Sequence, residues 1–304
     1  MALARLKPSL EDEMKRNPEL KLSDLKILRE WLSKQPHLPQ NLDDIDLAMV
    51  LHSNYFRLEP TKTNIEKYFT IRTHVPEFFS DRDPLGNKGL RQAFQTGGNV
   101  CLKGKTKEGY SLIYGRLVDA DPTRFVYNDM IKFFFLMMDL LYLSEGTKKG
   151  LVYVADAIGV SIGHVSRTPL MSVKKMLTYV QEAAPVRLKG IHIINVSHAM
   201  ELVFNMAKPF MHKNFFDLIH FHSSLESLEK AGIPIEFLPN ESGGKAGLLK
   251  DLANEEVKKI ENNRNAILEY DQMAVAKESL RIGKSLSAGE LFGVEGSFKK
   301  LEID

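Results

Sequence analysis

Cysteine is nearly absent from this sequence, since Cys101 is the one cysteine among 304 residues. This excludes an internal disulfide and a zinc site made only of cysteines. Long apolar runs are also missing: the longest, residues 133–138, is far shorter than the roughly 20 residues that span a membrane. The N-terminus has acidic residues early and lacks the apolar core of a signal peptide. The sequence therefore predicts a soluble protein of the cytoplasm.

The sequence also has little excess charge of either sign. Lysine and arginine number 41 against 39 aspartates and glutamates, which gives a formal net charge of +2. A chain so close to neutral is not expected to bind nucleic acid. Hydrophobic residues make up 43% of the chain, enough for a substantial core in one large or two modest domains.

Helical patterns dominate the first part of the chain. Leu25, Leu28 and Leu32 fall on one face of a predicted helix that Pro36 and Pro39 end. Similar short helices follow up to about residue 79. We therefore predict an N-terminal all-helical lobe over residues 1–85, followed by a loose, turn-rich stretch at residues 80–109.

Strands alternate with helices from residue 110 onward. Residues 110–117, 150–155 and 190–194 are apolar strand candidates, with shorter β-like runs at 218–222 and 233–238, and predicted helices separate several of them. This alternation predicts an α/β fold whose mostly parallel sheet is flanked by helices, over residues 86–250. A C-terminal helix and a glycine-rich surface tail are expected over residues 251–304.

Three short patterns suggest chemistry, and each is incomplete. Residues 98–106 (GNVCLKGKT) approach a phosphate-binding P-loop, but Asn99 replaces the first glycine, and a flexible basic loop is the expected structure. His220 and His222 would share one strand face, but no further ligand has suitable spacing. Several serines lie near histidines without a G-x-S-x-G elbow. We predict no catalytic residue, metal or cofactor.

Two apolar stretches are candidates for a binding site. Residues 187–211 combine a strand with an apolar helix and have cations at both ends, a pattern suited to the wall and lid of an apolar cavity. Residues 133–141 form a helix that is apolar nearly all round. Its periodicity alone favours ordinary core, whereas its many phenylalanines and methionines also suit an adaptable binding surface.

Four motifs in a fixed order then resemble a known family. They are GLVYVAD at residues 150–156, I-H-x-I-N at 191–195, K-P-F at 208–210 and L-P-x-E-x-G-G at 238–244. Together they resemble the CRAL-TRIO (Sec14-like) lipid-binding family over about residues 20–250. The final FGVEGSFKKLEID resembles the tail of insect members related to α-tocopherol transfer protein and the retinaldehyde-binding proteins.

The resemblance implies a carrier that sequesters one small hydrophobic ligand and delivers it at membranes. It implies a mobile gate helix at residues 197–211. It further implies these ligand-binding residues: Ile131, Phe134, Met138, Val154, Met176, Tyr179, Val180, Leu188, Ile191, Ile193, Val203, Phe204 and Phe210. It implies these cations for a membrane or phosphoinositide surface: Arg187, Lys189, Lys208 and Lys213.

The chain departs from the family pattern at two places. Val186 follows Pro185 where phosphatidylinositol-transferring members have a glutamate, which favours a more apolar cargo such as a retinoid, tocopherol or carotenoid. Asn214 and Leu218 replace two of the phosphoinositide-binding cations of the tocopherol carrier. The alternative function is a lipid-sensing regulatory module that binds a phospholipid or phosphoinositide and a protein partner.

Overall fold

A computed structural model describes residues 2–293 of the chain. The part that precedes the sheet is helical, as predicted. Its helices are α1 (Ala2–Leu6), α2 (Leu10–Arg16), α3 (Leu22–Leu32), α4 (Asp44–Ser53), α5 (Leu58–His74), α6 (Pro76–Phe79) and α7 (Lys88–Thr96). Local capping fixes several of their starts: Asp43, for example, accepts a hydrogen bond from the backbone N–H of Asp46 and begins α4 with a capping box.

The sheet has its five described strands in sequence order. They are β1 (Gly97–Lys105), β2 (Ser111–Leu117), β3 (Leu151–Asp156), β4 (Leu188–Ile194) and β5 (Ile219–His222). Only the pairing of β1 with β2 is antiparallel, and β2 to β5 pair in parallel. The predicted mostly parallel sheet flanked by helices is therefore confirmed.

Helices and short 3₁₀ turns connect and follow the later strands. The helices are α8 (Tyr127–Glu145), α9 (Ile162–Val165), α10 (Leu170–Glu182), α11 (His198–Ala207), α12 (Lys213–Phe216), α13 (Leu225–Lys230), α14 (Leu249–Asn262), α15 (Arg264–Met273) and α16 (Ala288–Phe292). The 3₁₀ turns are Lys208–Phe210, Ile235–Phe237, Asn240–Ser242 and Glu278–Leu280. Within residues 2–293, no helix combines the length and apolarity needed to cross a membrane.

The two faces of the sheet pack against different parts of the chain. Tyr153 on β3 faces α8, where it lies in one cluster with the side chains of that helix. Val152 and Val154 point the other way and pack with Leu228 and Leu238. This alternation follows from the period of two along a strand.

A register shift in β4 changes which of its side chains share a face. Leu188 pairs with Leu151 and Gly190 pairs with Val152, so Lys189 is an extra residue in the strand. Residues 188 and 191 would lie on opposite faces of a regular strand. The bulge instead places Leu188 and Ile191 together in one cluster with α10 and α11.

The C-terminal segment belongs to the core of the helical lobe. Ala266, Tyr270 and Phe292 are buried in the cluster formed by α3, α4 and α5, and Phe292 is 1% exposed. The prediction of a surface tail is wrong at Phe292, which is a core residue, whereas residues 282–285, 290 and 293 are exposed. Residues 294–304 lie outside the described chain.

Two further expectations are wrong. The stretch predicted as a loose region contains α7 and β1. Residues 98–105 of the expected basic loop are strand, because β1 pairs with β2 from Gly97 to Cys101 and again at Lys105. Turn-forming residues before and within β1 obscured its pattern. Residues 233–238 are also not a strand, since Ile235–Phe237 is a 3₁₀ turn.

Candidate functional site

An apolar cavity of about 80 Å³ lies between the sheet and helices α8 and α10. Tyr153 and Leu151 form its floor, and the chain between α10 and β4 closes one end. Five of the residues that the sequence assigned to a ligand meet around it: Phe134, Met138, Tyr179, Val180 and Leu188. Three segments distant in sequence therefore supply one cavity.

A second group of the assigned residues lies beside this cavity. Met176, Ile191 and Phe210 join the apolar cluster between α10, β4 and the α11 segment. Ile131 packs toward the helical lobe. These residues surround the cavity without lining it.

The remaining assigned residues are placed differently. Val154 packs on the opposite face of the sheet and does not line the cavity, because residues 153 and 154 point in opposite directions. Ile193 is buried in β4, and Val203 is half-buried on α11. Phe204 lies in a separate open cleft of about 760 Å³ between α11 and the ends of β4 and β5.

Aromatic rings form one wall of this open cleft. The ring of Phe204 lies 4.9 Å from that of Phe221 and 5.9 Å from that of Phe216. Phe216 and Phe221 are 38% and 46% exposed, which is high for side chains of this size. The edge of the sheet next to α11 is thus apolar and accessible to solvent.

The α11 segment is held at both ends. At its start, Asn195 has a left-handed backbone with φ of 55° and its side chain donates a hydrogen bond to Asp156 at 2.9 Å. Ser197 then caps the helix by accepting from the N–H of Met200. At the far end, Gln181 of α10 donates to the carbonyl of Phe210 and accepts from the N–H of His212.

Asp156 organises the carboxyl ends of three strands. Its buried carboxylate accepts hydrogen bonds from Tyr114 at 2.9 Å, Ser242 at 2.6 Å and Arg116 at 3.2 Å, besides that from Asn195. Burial acts to raise the pKa of Asp156, but these hydrogen bonds outweigh it, and the pKa lies below its ordinary value. The carboxylate is therefore ionised and fully engaged in structure.

The L-P-x-E-x-G-G motif has a structural explanation. Gly243 adopts φ of 81°, and a Cβ on Gly244 would lie 1.9 Å from the carbonyl oxygen of Leu238. Only glycine fits such a close approach. The carboxylate of Glu241 accepts from the N–H of Leu249 and caps α14. The motif thus closes the end of the sheet next to Asp156.

The four assigned cations fall into two pairs. Arg187 donates to the carbonyl of His52 and lies 4.3 Å from the ring centre of Tyr55, while the Lys189 ammonium donates to the Tyr55 hydroxyl at 2.8 Å. These two cations join β4 to the α4–α5 turn. Lys208 and Lys213 are exposed after α11.

Three imidazoles cluster on one face of β4 and β5, the face that Val154 shares. His192 Nδ1 lies 2.8 Å from His222 Nε2, and the ring centres of His192 and His220 are 5.0 Å apart. The expectation that His220 and His222 share a face is confirmed. Within residues 2–293, no group of three or more histidine, cysteine or acidic side chains is arranged to hold a metal ion.

Acidification is expected to destabilise the protein through His192. Burial, and then the neighbouring His222 and His220, lower the pKa of His192 to about 4. The unfolded chain, with an ordinary histidine pKa near ~6.5, binds protons more readily, so stability falls as the pH drops from 6.5 toward 4. Since water at the sheet edge screens part of the effect, the expected loss is on the order of 2 kcal/mol.

The measurement is the free energy of unfolding in urea at several pH values for the wild type and His192→Phe. The variant should lose part of the pH dependence between pH 4 and 6.5. The exposed His198 provides the control, and His198→Ala should keep the wild-type slope. Equal slopes for the wild type and His192→Phe would contradict the assignment.

The sequence analysis missed several residues that line the cavity: Ile113, Tyr142, Tyr153, Ala184 and Pro185. Two of them carried a recognisable signal. Tyr142 follows Met138 by four positions and Phe134 by eight, so it lies on the same face of α8. Tyr153 alternates with Val152 and Val154 along β3, which places it on the other face of the sheet.

A mostly parallel sheet flanked by helices defines an α/β protein, and the apolar cavity beneath those helices is the kind of site that takes an apolar ligand. Comparison with family models is consistent with this class: a CRAL/TRIO domain model matches residues 95–244, and a model described as Pinta-like, UBA domain matches residues 17–88. The chain belongs to the CRAL-TRIO family, as the four sequence motifs predicted.

Similar curated proteins carry related names. The human alpha-tocopherol transfer protein-like protein is 27% identical over 278 residues, which cover 90% of this chain and 80% of that protein. Clavesin-1 of Pongo abelii is 22% identical over 76% of this chain and 66% of its own length. A solved structure described as Crystal structure of Sfh5 has a TM-score of 0.46 and 16% identity, covering 81% of this chain and 92% of that one.

Proposed function

We propose that this protein carries one small isoprenoid-like molecule, such as a tocopherol, retinoid or carotenoid, and delivers it at membranes. The observation that supports this most is the apolar cavity at which Phe134, Met138 and Val180 meet the floor of the sheet. The name of the human relative includes tocopherol transfer, which agrees with such a cargo.

Ligand entry requires the cavity to expand. Its volume of about 80 Å³ is well below the roughly 300–1,000 Å³ of sites for drug-sized ligands. Met138 is unbranched and Phe134 is only half-buried, so both side chains can move aside at low cost. The α11 segment packs over the neighbouring cluster and is attached mainly at its ends, which suits a movable cover.

The energetics explain why unloading needs a membrane. Burial contributes about 0.8 kcal/mol per CH₂ group, so an isoprenoid gains on the order of 10 kcal/mol by leaving water. Direct release into water is therefore very slow. A bilayer removes this barrier, because its hydrocarbon replaces the apolar cavity as the cargo leaves.

The exposed surface next to α11 is suited to meet that bilayer. Phe216 and Phe221 present apolar rings there, and the Lys208 ammonium lies 5.6 Å from the ring centre of Phe216. Each lysine near an anionic leaflet adds about 1 kcal/mol of attraction. Lys208 and Lys213 are therefore the cations assigned to membrane contact.

The test is transfer of a fluorescent tocopherol analogue from donor vesicles to acceptor vesicles that contain phosphatidylserine. The wild type should accelerate transfer. Lys208→Glu/Lys213→Glu should weaken partitioning onto the acceptor vesicles by at least about 30-fold, since about 2 kcal/mol of attraction is lost and two repelled carboxylates are added. Lys15→Glu/Lys230→Glu, which reverses two exposed lysines on α2 and α13, is the matched control.

Three outcomes separate the candidate functions. Transfer that depends on Lys208 and Lys213 supports the carrier. Binding of the analogue without any acceleration of transfer would instead favour the lipid-sensing module. If the protein bound neither the analogue nor retinol, carotenoid or phospholipid, the proposal of an apolar cargo would be wrong.

A further inference from the structure

Tyr142 of α8 occupies the junction of three cavities. It lines the apolar cavity of about 80 Å³ and two smaller ones of about 20 Å³ each. Pro185 also lines all three, so these two residues lie where the cavities adjoin. One small cavity reaches toward Arg187 and the other toward Tyr68 in the helical lobe. Tyr142 thus stands at the lobe end of the apolar cavity.

The hydroxyl of Tyr142 is buried and has no hydrogen-bond partner within residues 2–293. A buried hydroxyl normally has a hydrogen-bond partner, because leaving it without one destabilises the folded state. Polar groups around it are already engaged: Tyr68 bonds to Tyr270, and Asp46 lies 2.6 Å from the Lys7 ammonium. The Tyr142 hydroxyl therefore has no partner within residues 2–293, whereas the carboxylate of Asp139, which lines the same cavity, is already paired with arginines.

The protonation state of Tyr142 makes it a donor. Burial raises the pKa of its hydroxyl well above the ordinary value, so the O–H is retained at any physiological pH. A neutral oxygen on a ligand can accept from it. An anionic headgroup would lose its hydration in this apolar site and is disfavoured.

We propose that the Tyr142 hydroxyl donates a hydrogen bond to the single neutral oxygen of the cargo. The carrier then selects isoprenoids that end in a hydroxyl or carbonyl over hydrocarbons of the same length. The oxygen lies at the lobe end, and the apolar chain extends toward α11. This inference rests on the proposed carrier function and adds to it which end of the cargo is recognised, and by which residue.

The test compares phytanol with phytane, which differ only by the terminal hydroxyl. Each competes with the fluorescent hydrocarbon diphenylhexatriene for the full-length protein. The wild type should bind phytanol about tenfold more tightly than phytane, as one hydrogen bond predicts. Tyr142→Phe should bring this ratio close to one without weakening phytane. The control is Tyr127→Phe, because Tyr127 is a second tyrosine of α8 and lies outside the three cavities.

The outcomes distinguish this inference from the carrier proposal. Equal binding of phytanol and phytane by the wild type would overturn the role of Tyr142 and leave the carrier intact. The comparison of the two ligands in the wild type needs no variant, so it remains a valid test even if Tyr142→Phe folds poorly. A tenfold preference that survives in Tyr142→Phe would also overturn it. Failure of the wild type to bind either molecule would overturn both proposals.

Discussion

Asp139→Ala is expected to lower the free energy of unfolding by about 3–5 kcal/mol, because it leaves buried arginines without their partner. Asp139 on α8 accepts hydrogen bonds from Arg72 at 2.9 Å and from Arg82 at 2.7 Å. Arg72 is 3% exposed and Arg82 is 1% exposed. Asp271 of α15 also pairs with Arg82 but is 3.8 Å from Arg72, too far to replace the lost contact fully.

The network matters for the site as well as for stability. It joins α5, α8 and α15, and Asp139 also lines the apolar cavity. Burial acts to lower the pKa of Arg82, but Asp139 and Asp271 outweigh it, so the pKa is raised and the charge is retained. Loss of Asp139 therefore loosens the wall of the cavity that the helical lobe supports.

The change in the free energy of unfolding is measured by urea unfolding, with circular dichroism as the signal. Glu11→Ala is the matched control, because it removes the carboxylate of an exposed ion pair with Lys15. Exposed pairs contribute about 0–1 kcal/mol, so this variant should unfold nearly as the wild type does. A change below 1 kcal/mol for Asp139→Ala would show that the buried network is not needed for stability.

Asp156→Ala should destabilise the protein by about 3 kcal/mol and also speed the release of cargo. The substitution removes the acceptor shared by the buried hydroxyls of Tyr114 and Ser242, which can then bond only to each other. The exposed Asn195 loses the same acceptor. Asn195 then loses the bond that holds its left-handed backbone just before α11. Under the proposed carrier function, in which the α11 segment is the movable cover, a less fixed start of α11 opens the cavity more often.

Two measurements separate the stability effect from the opening of α11. Hydrogen exchange of the α11 amides should rise in Asp156→Ala more than exchange in α8, and the dissociation rate of a fluorescent tocopherol analogue should rise about tenfold. Asp217→Ala, which removes an exposed carboxylate between α12 and β5, is the control. Unchanged exchange in α11, together with an unchanged release rate, would rule out Asp156 as an anchor of α11.

Sequence patterns predicted the order of secondary structure well where periodicity was strong. The apolar runs of β2, β3 and β4 and the long apolar helix α8 were located within a few residues. The helix α7 and the strand β1 were missed, because turn-forming residues surround them and β1 begins with two glycines. Pairing with β2 in the tertiary structure overrides that local preference.

The sequence by itself determined the fold class and the family, because both depend on local periodicity and on motifs of fixed spacing. Helical spacing also places Phe134, Met138 and Tyr142 on one face of α8, but the tertiary structure decided which face of this nearly all-round apolar helix meets the sheet. Only the tertiary structure decided which strand residues share the cavity: the bulge at Lys189 puts Leu188 and Ile191 on one face, whereas Val154 faces away. It also decided that Arg187 and Lys189 bind the helical lobe. Such placements depend on strand register and on contacts between residues far apart in the chain, which no spacing rule along one sequence contains.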